Sequence, residues 1–294
     1  MILNAADVGR LKKISTLRGA VSIFGSWLAI VGAVAISMQF FWLYPLAVLV
    51  IANRIMALGL LVHEGIHQLL SPSLRWNDLL ARYLCVIPTV ISLSKWRVRH
   101  LIHHRFVGTS ADYDAYLYTY FPLPIGRFLK QFLSGQIFLG HLLYFTDLDR
   151  VLKLKGLPTA PILKSKESDA VSFLTFYVIV IVALSMFGWW TEFLLFWILP
   201  YLLCQPMTLL YNCLEHSGIF RDPIENHRSR TITGSRLLVG LFMPLNVNYH
   251  GEHHRFPNVP QYNLPQIHRL VFAVNPRVLF YQDFVDTLRN VILK

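Results

Sequence analysis

Nine of the twelve histidines in this chain of 294 residues fall into four groups whose spacing suits metal ligation. His63 and His67 stand in His-Glu-Gly-Ile-His, and His100, His103 and His104 in His-Leu-Ile-His-His. His216 follows a long apolar run, and His250, His253 and His254 stand in His-Gly-Glu-His-His. On a helix, residues i and i+4 share a face, so each of the pairs 63/67, 100/104 and 250/254 can aim two imidazoles at one ion. His103 lies one turn from His100. Imidazole suits zinc, copper, iron and nickel. Nine imidazoles far exceed the four positions of one tetrahedral zinc, so two ions are the economical count. Burying so many rings together without a ligand would leave nitrogens unpaired at substantial cost. His141, His227 and His268 stand outside any group and are expected to be hydrogen-bonded structural residues.

Carboxylates accompany these groups. Glu64, Asp112, Asp114, Glu215 and Glu252 sit beside the clustered histidines, and some of them are proposed to accept hydrogen bonds from imidazole N–H groups, which would orient the rings. The alternative for each is a solvated carboxylate. His63-Glu64-Gly65-Ile66-His67 also fits the zinc-protease pattern His-Glu-x-x-His, in which the glutamate activates water. That reading leaves seven clustered histidines without a task, and no Asp-Gly ligand motif appears on the later apolar runs.

The elements that must position these residues are membrane helices. Apolar residues make up 54% of the chain and charged residues 15%, with a mean hydropathy of +0.47. A soluble domain carries about 25% charged residues, so a soluble enzyme and a disordered chain are both excluded. Cys85, Cys204 and Cys213 are too few and too scattered for a disulfide framework. The net charge of +11 suits anionic lipid headgroups better than nucleic acid in so apolar a chain.

No charged residue interrupts Gly19 to Asn53, and these 35 residues would make a helix of about 52 Å against a hydrocarbon core of about 30 Å. The run is therefore expected to be a hairpin, roughly Gly19–Met38 and Phe41–Val62, turning near Tyr44-Pro45. It is too long for a signal peptide and lacks a small-residue cleavage site. Two further spans are expected at about 170–189 and 193–214. The fold class is thus all-α, with two transmembrane hairpins and a helical cap, in a single domain over 1–294. Of the 27 lysines and arginines, four precede the first span, thirteen lie between Gln68 and Asp169, and nine follow Leu214. That bias places both termini and every histidine group in the cytoplasm. Tyr83–Ser94, Gln131–Thr146 and Leu237–Tyr249 are expected as interfacial or re-entrant helices, with a further pair of spans as the alternative for Gln131–Thr146. Arg54, about 13 Å up the second span from His63, is expected to pair with a polar neighbour.

With the boxes in place, the chain resembles the membrane fatty acid desaturase and hydroxylase superfamily. Members carry H-x(3,4)-H, H-x(2,3)-H-H and a third H-x(2,3)-H-H box in this order. Trp96-Arg97-Val98-Arg99 before the second box, and Phe256-Pro257-Asn258-Val259-Pro260 with Asn263-Leu264-Pro265 after the third, extend the likeness over roughly Gly19 to Leu270. In animal acyl-CoA desaturases an asparagine one turn before an extra histidine completes the dimetal site through water, and Asn212 with His216 matches that pattern. The implied ligands are His63, His67, His100, His103, His104, His216, His250, His253 and His254, with Asn212 acting through water. One departure is Asp112-Tyr113-Asp114, where the family has Asp-Pro-Asp.

The resemblance implies two iron ions, dioxygen as co-substrate and two electrons. Loss of two hydrogens from a lipid acyl chain gives an alkene. Return of hydroxyl gives an alcohol, so hydroxylation of an acyl chain, alkane, carotenoid or sphingolipid shares every motif. No His-Pro-Gly-Gly haem-binding segment is present, so electrons are expected from a separate ferredoxin or cytochrome b5 with its reductase. A membrane scaffold that merely holds metal is the non-enzymatic alternative.

Overall fold

The computed structural model describes residues 4–86, 89, 92–112, 114–118, 124–127, 130, 169–219, 229–275 and 280–292. Gln131–Thr146 with His141, and also Tyr113 and His227, lie outside the described residues.

Helix α1 (Ala5–Leu11) precedes a long hairpin of α2 (Thr16–Gln39) and α3 (Tyr44–Ile66). The Ser15 hydroxyl caps α2 by accepting from the Arg18 N–H at 3.4 Å. The chain turns at Phe40 through a short 3-10 segment, Phe41–Leu43, a few residues ahead of the expected position. Proline's fixed φ and missing N–H suit the first turn of a helix, so Pro45 opens α3 instead of breaking the chain. α3 also runs past Val62, with His63 in its last turn and His67 as its C-cap.

The outer face of α2 is the reverse of a water-soluble helix. Leu17, Val21, Phe24, Leu28 and Val31 are all more than half exposed, whereas Ser26 and Ser37 are buried. An apolar stripe of that length needs lipid against it. Three helical stretches are long and apolar enough to cross a membrane: Thr16–Gln39, Phe41–Ile66 and Trp190–His216, with mean hydropathies of 2.0, 2.1 and 1.7. They mark a membrane protein. The span expected at 170–189 forms α7 (Asp169–Phe187), whose apolar part, Val171–Phe187, is shorter than the other three. α7 begins where the description resumes.

Between the first and second histidine boxes lie α4 (Leu74–Ala81) and a π turn, Arg82–Val86, leading to α5 (Leu93–Phe106), with α6 (Ala115–Tyr118) beyond. The last long helix, α8 (Leu199–His216), continues the stretch from Trp190 through a π turn at Leu194–Ile198. The π turn releases a carbonyl, and Tyr44 Oη donates to Leu195 O at 2.8 Å, which ties the hairpin to this stretch. Trp27 stacks on Trp197 with ring centroids 6.0 Å apart.

After α8 come β1 (Arg230–Thr233), α9 (Arg236–Phe242), α10 (His250–Arg255), α11 (Leu264–Val274), β2 (Phe280–Asp283) and α12 (Phe284–Ile292). β1 and β2 pair in parallel, Arg230 opposite Phe280, so a two-stranded sheet joins a mostly helical fold. Four residues are too few to display strand alternation, and the partner is remote in sequence, so the pair escaped the sequence pattern.

Asn53 and Arg54 find their roles together. Asn53 Nδ2 donates to Gly240 O at 3.0 Å and Leu241 O at 2.7 Å, carbonyls that the end of α9 would otherwise leave unpaired. Asn53 Oδ1 accepts from Arg54 Nε at 2.8 Å. Asn53 lies ten residues before His63, about 15 Å along the helix. α9 therefore reaches well away from the histidine end of α3, as a re-entrant segment would.

The glycine inside the first box is needed for packing. A Cβ on Gly65 would lie 2.6 Å from Ala81 Cβ, inside any real contact. Gly65→Ala should push α4 off α3 and lower stability by about 1–3 kcal/mol, as overpacked cores do. Thermal unfolding of the variant beside the parent, in the same detergent, measures this.

Candidate metal centre

Four elements bring the nine clustered histidines to one place: the end of α3, the middle of α5, the end of α8 and α10. They divide into two groups. His63, His67, His100, His104 and His253 each place one ring nitrogen within 4.8 Å of the others, and His103, His216, His250 and His254 do the same. The i, i+4 pairs remain together, while His103, three residues from His100, crosses to the second group.

The distances identify what such a group needs. His63 Nε2 lies 2.8 Å from His100 Nε2, which lies 2.9 Å from His104 Nε2, itself 3.0 Å from His253 Nε2. In the second group His250 Nε2 is 3.0 Å from both His216 Nε2 and His254 Nε2. An Nε2 atom offers one proton or one lone pair, enough for one good hydrogen bond. His100, His104 and His250 each face two neighbours, so hydrogen bonding alone does not satisfy the clusters. His67 Nε2 is buried and has no hydrogen-bond partner among the described residues. Lone pairs from several neutral imidazoles converging on one point are the donor set of a transition metal, and the two groups fit one ion each.

The electrostatics agree. Burial first, and neighbouring imidazoles second, hold His67, His100, His250, His253 and His254 well below the ordinary histidine value. These rings are neutral at neutral pH, the form that binds metal. The unfolded chain takes up these protons near 6.5 and the folded chain only far lower. Stability of metal-free protein is therefore present above pH 6.5 and should fall as the pH drops below it. Denaturant titrations of stripped protein at stepped pH values check the slope; a flat profile between pH 6.5 and 5 would contradict it.

The flanking carboxylates divide by helix face. Both Asp112 oxygens lie 3.0 Å from His103 Nδ1, and Asp112 Oδ1 also accepts the Asp114 N–H at 2.8 Å, a local turn where the family has proline. Tyr118 donates to the same carboxylate. Burial alone would raise the Asp112 carboxyl, but the hydrogen bonds from His103 and Tyr118 outweigh it and hold it below its usual range. Glu215 Oε1 lies 3.0 Å from His250 Nδ1, at ion-pair distance without the alignment of a hydrogen bond.

The other three carboxylates have partners outside the two imidazole groups. Asp114 pairs with Arg99 and stays 3.9 Å from His103 Nδ1. Glu64 Oε2 accepts the Gln261 N–H at 3.0 Å. Glu252 accepts from Thr231 Oγ1 at 2.5 Å and pairs with His268 Nδ1. A residue directly adjacent to a ligand position on a helix points about 100° away from it, so Glu64 and Glu252 face neighbouring segments. Glu64 is thereby tied to the loop before α11, which removes the support for a protease-type glutamate. His268, expected as a structural residue, buttresses Glu252.

Other residues fix the frame and were not expected from sequence. Gly65 O, near the end of α3, accepts from Asn77 Nδ2 and Arg97 Nη2, each at 2.9 Å. Arg230 does the same for α8, donating to Leu214 O at 2.7 Å and Ser217 O at 2.8 Å on either side of His216. Arg97 stood in the Trp-Arg-Val-Arg motif; Arg230 carried no signal. A Cβ on Gly251, inside the third box, would meet Thr231 Oγ1 at 2.7 Å, so glycine lets α10 lie against β1.

A cavity of about 160 Å³ lies between α3 and α8, with His63, His100, His103, His216 and His250 at one end. Asn212 lines it, its amide nitrogen donating to Thr208 O at 2.8 Å. Apolar side chains from α3, among them Ile55, Met56 and Leu60, also line it.

Buried imidazole clusters at the head of a cavity between membrane helices define a class, the membrane oxidoreductases with histidine-box metal centres. The chain belongs to the fatty acid desaturase family, whose model matches residues 40–284 and so takes in all four histidine groups. Dihydrorhizobitoxine desaturase of Bradyrhizobium elkanii is 26% identical over 232 residues, which is 74% of this chain and 65% of that protein's own length. The match thus spans a little less than two thirds of that relative.

Proposed function

We propose that this protein is a membrane di-iron desaturase acting on a lipid acyl chain. Two hydrogens leave adjacent carbons, and one dioxygen with two electrons and two protons becomes two waters. The observation that carries this reading is the division of nine imidazoles into two convergent groups at the head of a cavity between α3 and α8. His63, His67, His100, His104 and His253 would hold one iron, and His103, His216, His250 and His254 the other, with Asn212 acting through water. The irons, when bound, supply the activation of dioxygen that lets an unactivated C–H bond be broken.

The chain's own residues do the rest. Asp112 fixes the tautomer of His103 by accepting from its Nδ1, which leaves Nε2 free for metal. The apolar wall of α3 holds the acyl segment and excludes water from the reacting carbons. Four spans, with α7 as the third, would place both termini and the metal end in the cytoplasm. A separate ferredoxin or cytochrome b5 with its reductase would deliver the electrons there. The relative's printed name, a desaturase, supports the reaction type.

Lipid extracts from cells with and without the gene, compared by mass spectrometry, test the reading. A product lighter by two hydrogens is the expected result. A gain of one oxygen would make the protein a hydroxylase, and an unchanged lipid profile would leave only passive metal holding.

A further inference from the structure

α3 lines the cavity with Ile55, Met56, Gly59 and Leu60 on the way to His63, and α8, besides apolar residues such as Leu209, adds the polar side chains of Gln205, Thr208 and Asn212. These three positions follow i, i+3 and i+7, one face of one helix. Polar residues inside a membrane helix are costly and commonly mark a substrate path.

Their hydrogen bonds give the stripe a chemical sense. The Gln205 amide nitrogen donates to Tyr201 O at 3.4 Å, Thr208 Oγ1 to Cys204 O at 2.9 Å, and the Asn212 amide nitrogen to Thr208 O at 2.8 Å. Each donor is thus directed back along its own helix, to the carbonyl four residues earlier. The amide oxygens of Gln205 and Asn212 receive no hydrogen bond from the described residues. With Asn212 given to the metal end, the stripe leaves a ligand the Gln205 amide oxygen and the Thr208 hydroxyl oxygen as acceptors.

Position adds a length. Thr208 and Gln205 lie eight and eleven residues before His216, about 12 and 16 Å along the helix axis. Three extended single bonds span about 3.5 Å, so that distance corresponds to roughly ten to fourteen bonds.

Resting on the desaturase reading above, we propose that the substrate is an acyl chain bearing a hydrogen-bond donor, a hydroxyl or an amide N–H, on its segment beyond the reacting carbons. That donor meets Gln205 Oε1, with Thr208 beside it, while the hydrocarbon between donor and metals lies along Ile55, Met56 and Leu60. A plain hydrocarbon tail would offer the Gln205 oxygen no donor. Gln205 is then a specificity residue, about three helical turns before His216, the imidazole that its helix contributes.

The test uses membranes of cells producing the full chain, supplied with equal amounts of palmitate and ω-hydroxypalmitate, followed by mass spectrometry of the whole lipid extract. The proposal expects the hydroxylated chain to be desaturated in preference, by up to about tenfold, the size of one net hydrogen bond. Gln205→Leu should erase the preference, and Thr208→Val should weaken it, while both retain the parent's iron content, which shows that they are folded. Equal use of the two probes by the parent, or an unchanged preference in Gln205→Leu, overturns the proposal and leaves the desaturase reading standing. If neither probe reacts but a native lipid does, a donor on its distal segment upholds the proposal and a plain tail overturns it. Absence of any oxidised lipid defeats the desaturase reading, and this inference with it.

Discussion

His216→Ala is expected to abolish turnover and to remove about half of the bound metal while the protein still inserts into membranes. His216 ends α8, and its Nε2 lies 3.0 Å from that of His250. The second group has only four imidazoles, so losing one leaves three, whereas the first group keeps all five. Asn212→Ala should be milder, a loss of about 10–100-fold in activity with most metal retained, since a residue acting through water orients instead of holding. His268→Ala removes a partner of Glu252 but no imidazole of either group, so metal content should survive it. Activity and metal content measured on the same purified samples decide the matter. Full metal and a normal rate in His216→Ala would remove this residue from the site.

The second large effect is expected at a residue that touches no proposed ligand. Arg230→Ala should destabilise the protein by about 2–6 kcal/mol, the cost of leaving two buried carbonyls unpaired. Those carbonyls, on Leu214 and Ser217, bracket His216. Burial pulls the Arg230 guanidinium down to about 10, so it remains charged at neutral pH, and a cation suits the negative end of a helix. Freed from it, the last turn of α8 should fray and carry His216 away from His250. Metal should then be lost from the second group first. Arg230→Lys should recover only part of the stability, because one ammonium does not reproduce the fork that reaches both oxygens. Thermal unfolding with metal analysis checks both variants, and an unchanged midpoint in Arg230→Ala would contradict the capping role.

Much of this site is written in local spacing, and that part was legible. The pairs 63/67, 100/104 and 250/254 follow from helical geometry alone, and each pair falls within one group. Which group His103 and His253 join was not legible, because it depends on how α5 and α10 face each other across the site. The apolar runs announced α2, α3 and α8, since lipid demands uninterrupted length. The turn at Phe40 was displaced from Pro45 because proline both breaks helices and begins them. Carboxylates were the least readable. Adjacency in sequence drew attention to Glu64 and Glu252, yet a helix turns neighbours away from a shared target: Glu64 holds the segment before α11, and Glu252 holds β1 and α11 through Thr231 and His268. Arg230 and the strand that carries it gave no pattern, because their partners lie in remote segments.

The central claim is that nine imidazoles hold two irons. The most direct measurement is elemental analysis of the full chain, purified in detergent from cells grown with ample iron, with protein quantified by amino-acid analysis. Two irons per chain, falling to about one in His216→Ala, is the predicted result. One tightly held zinc per chain and no iron would contradict it.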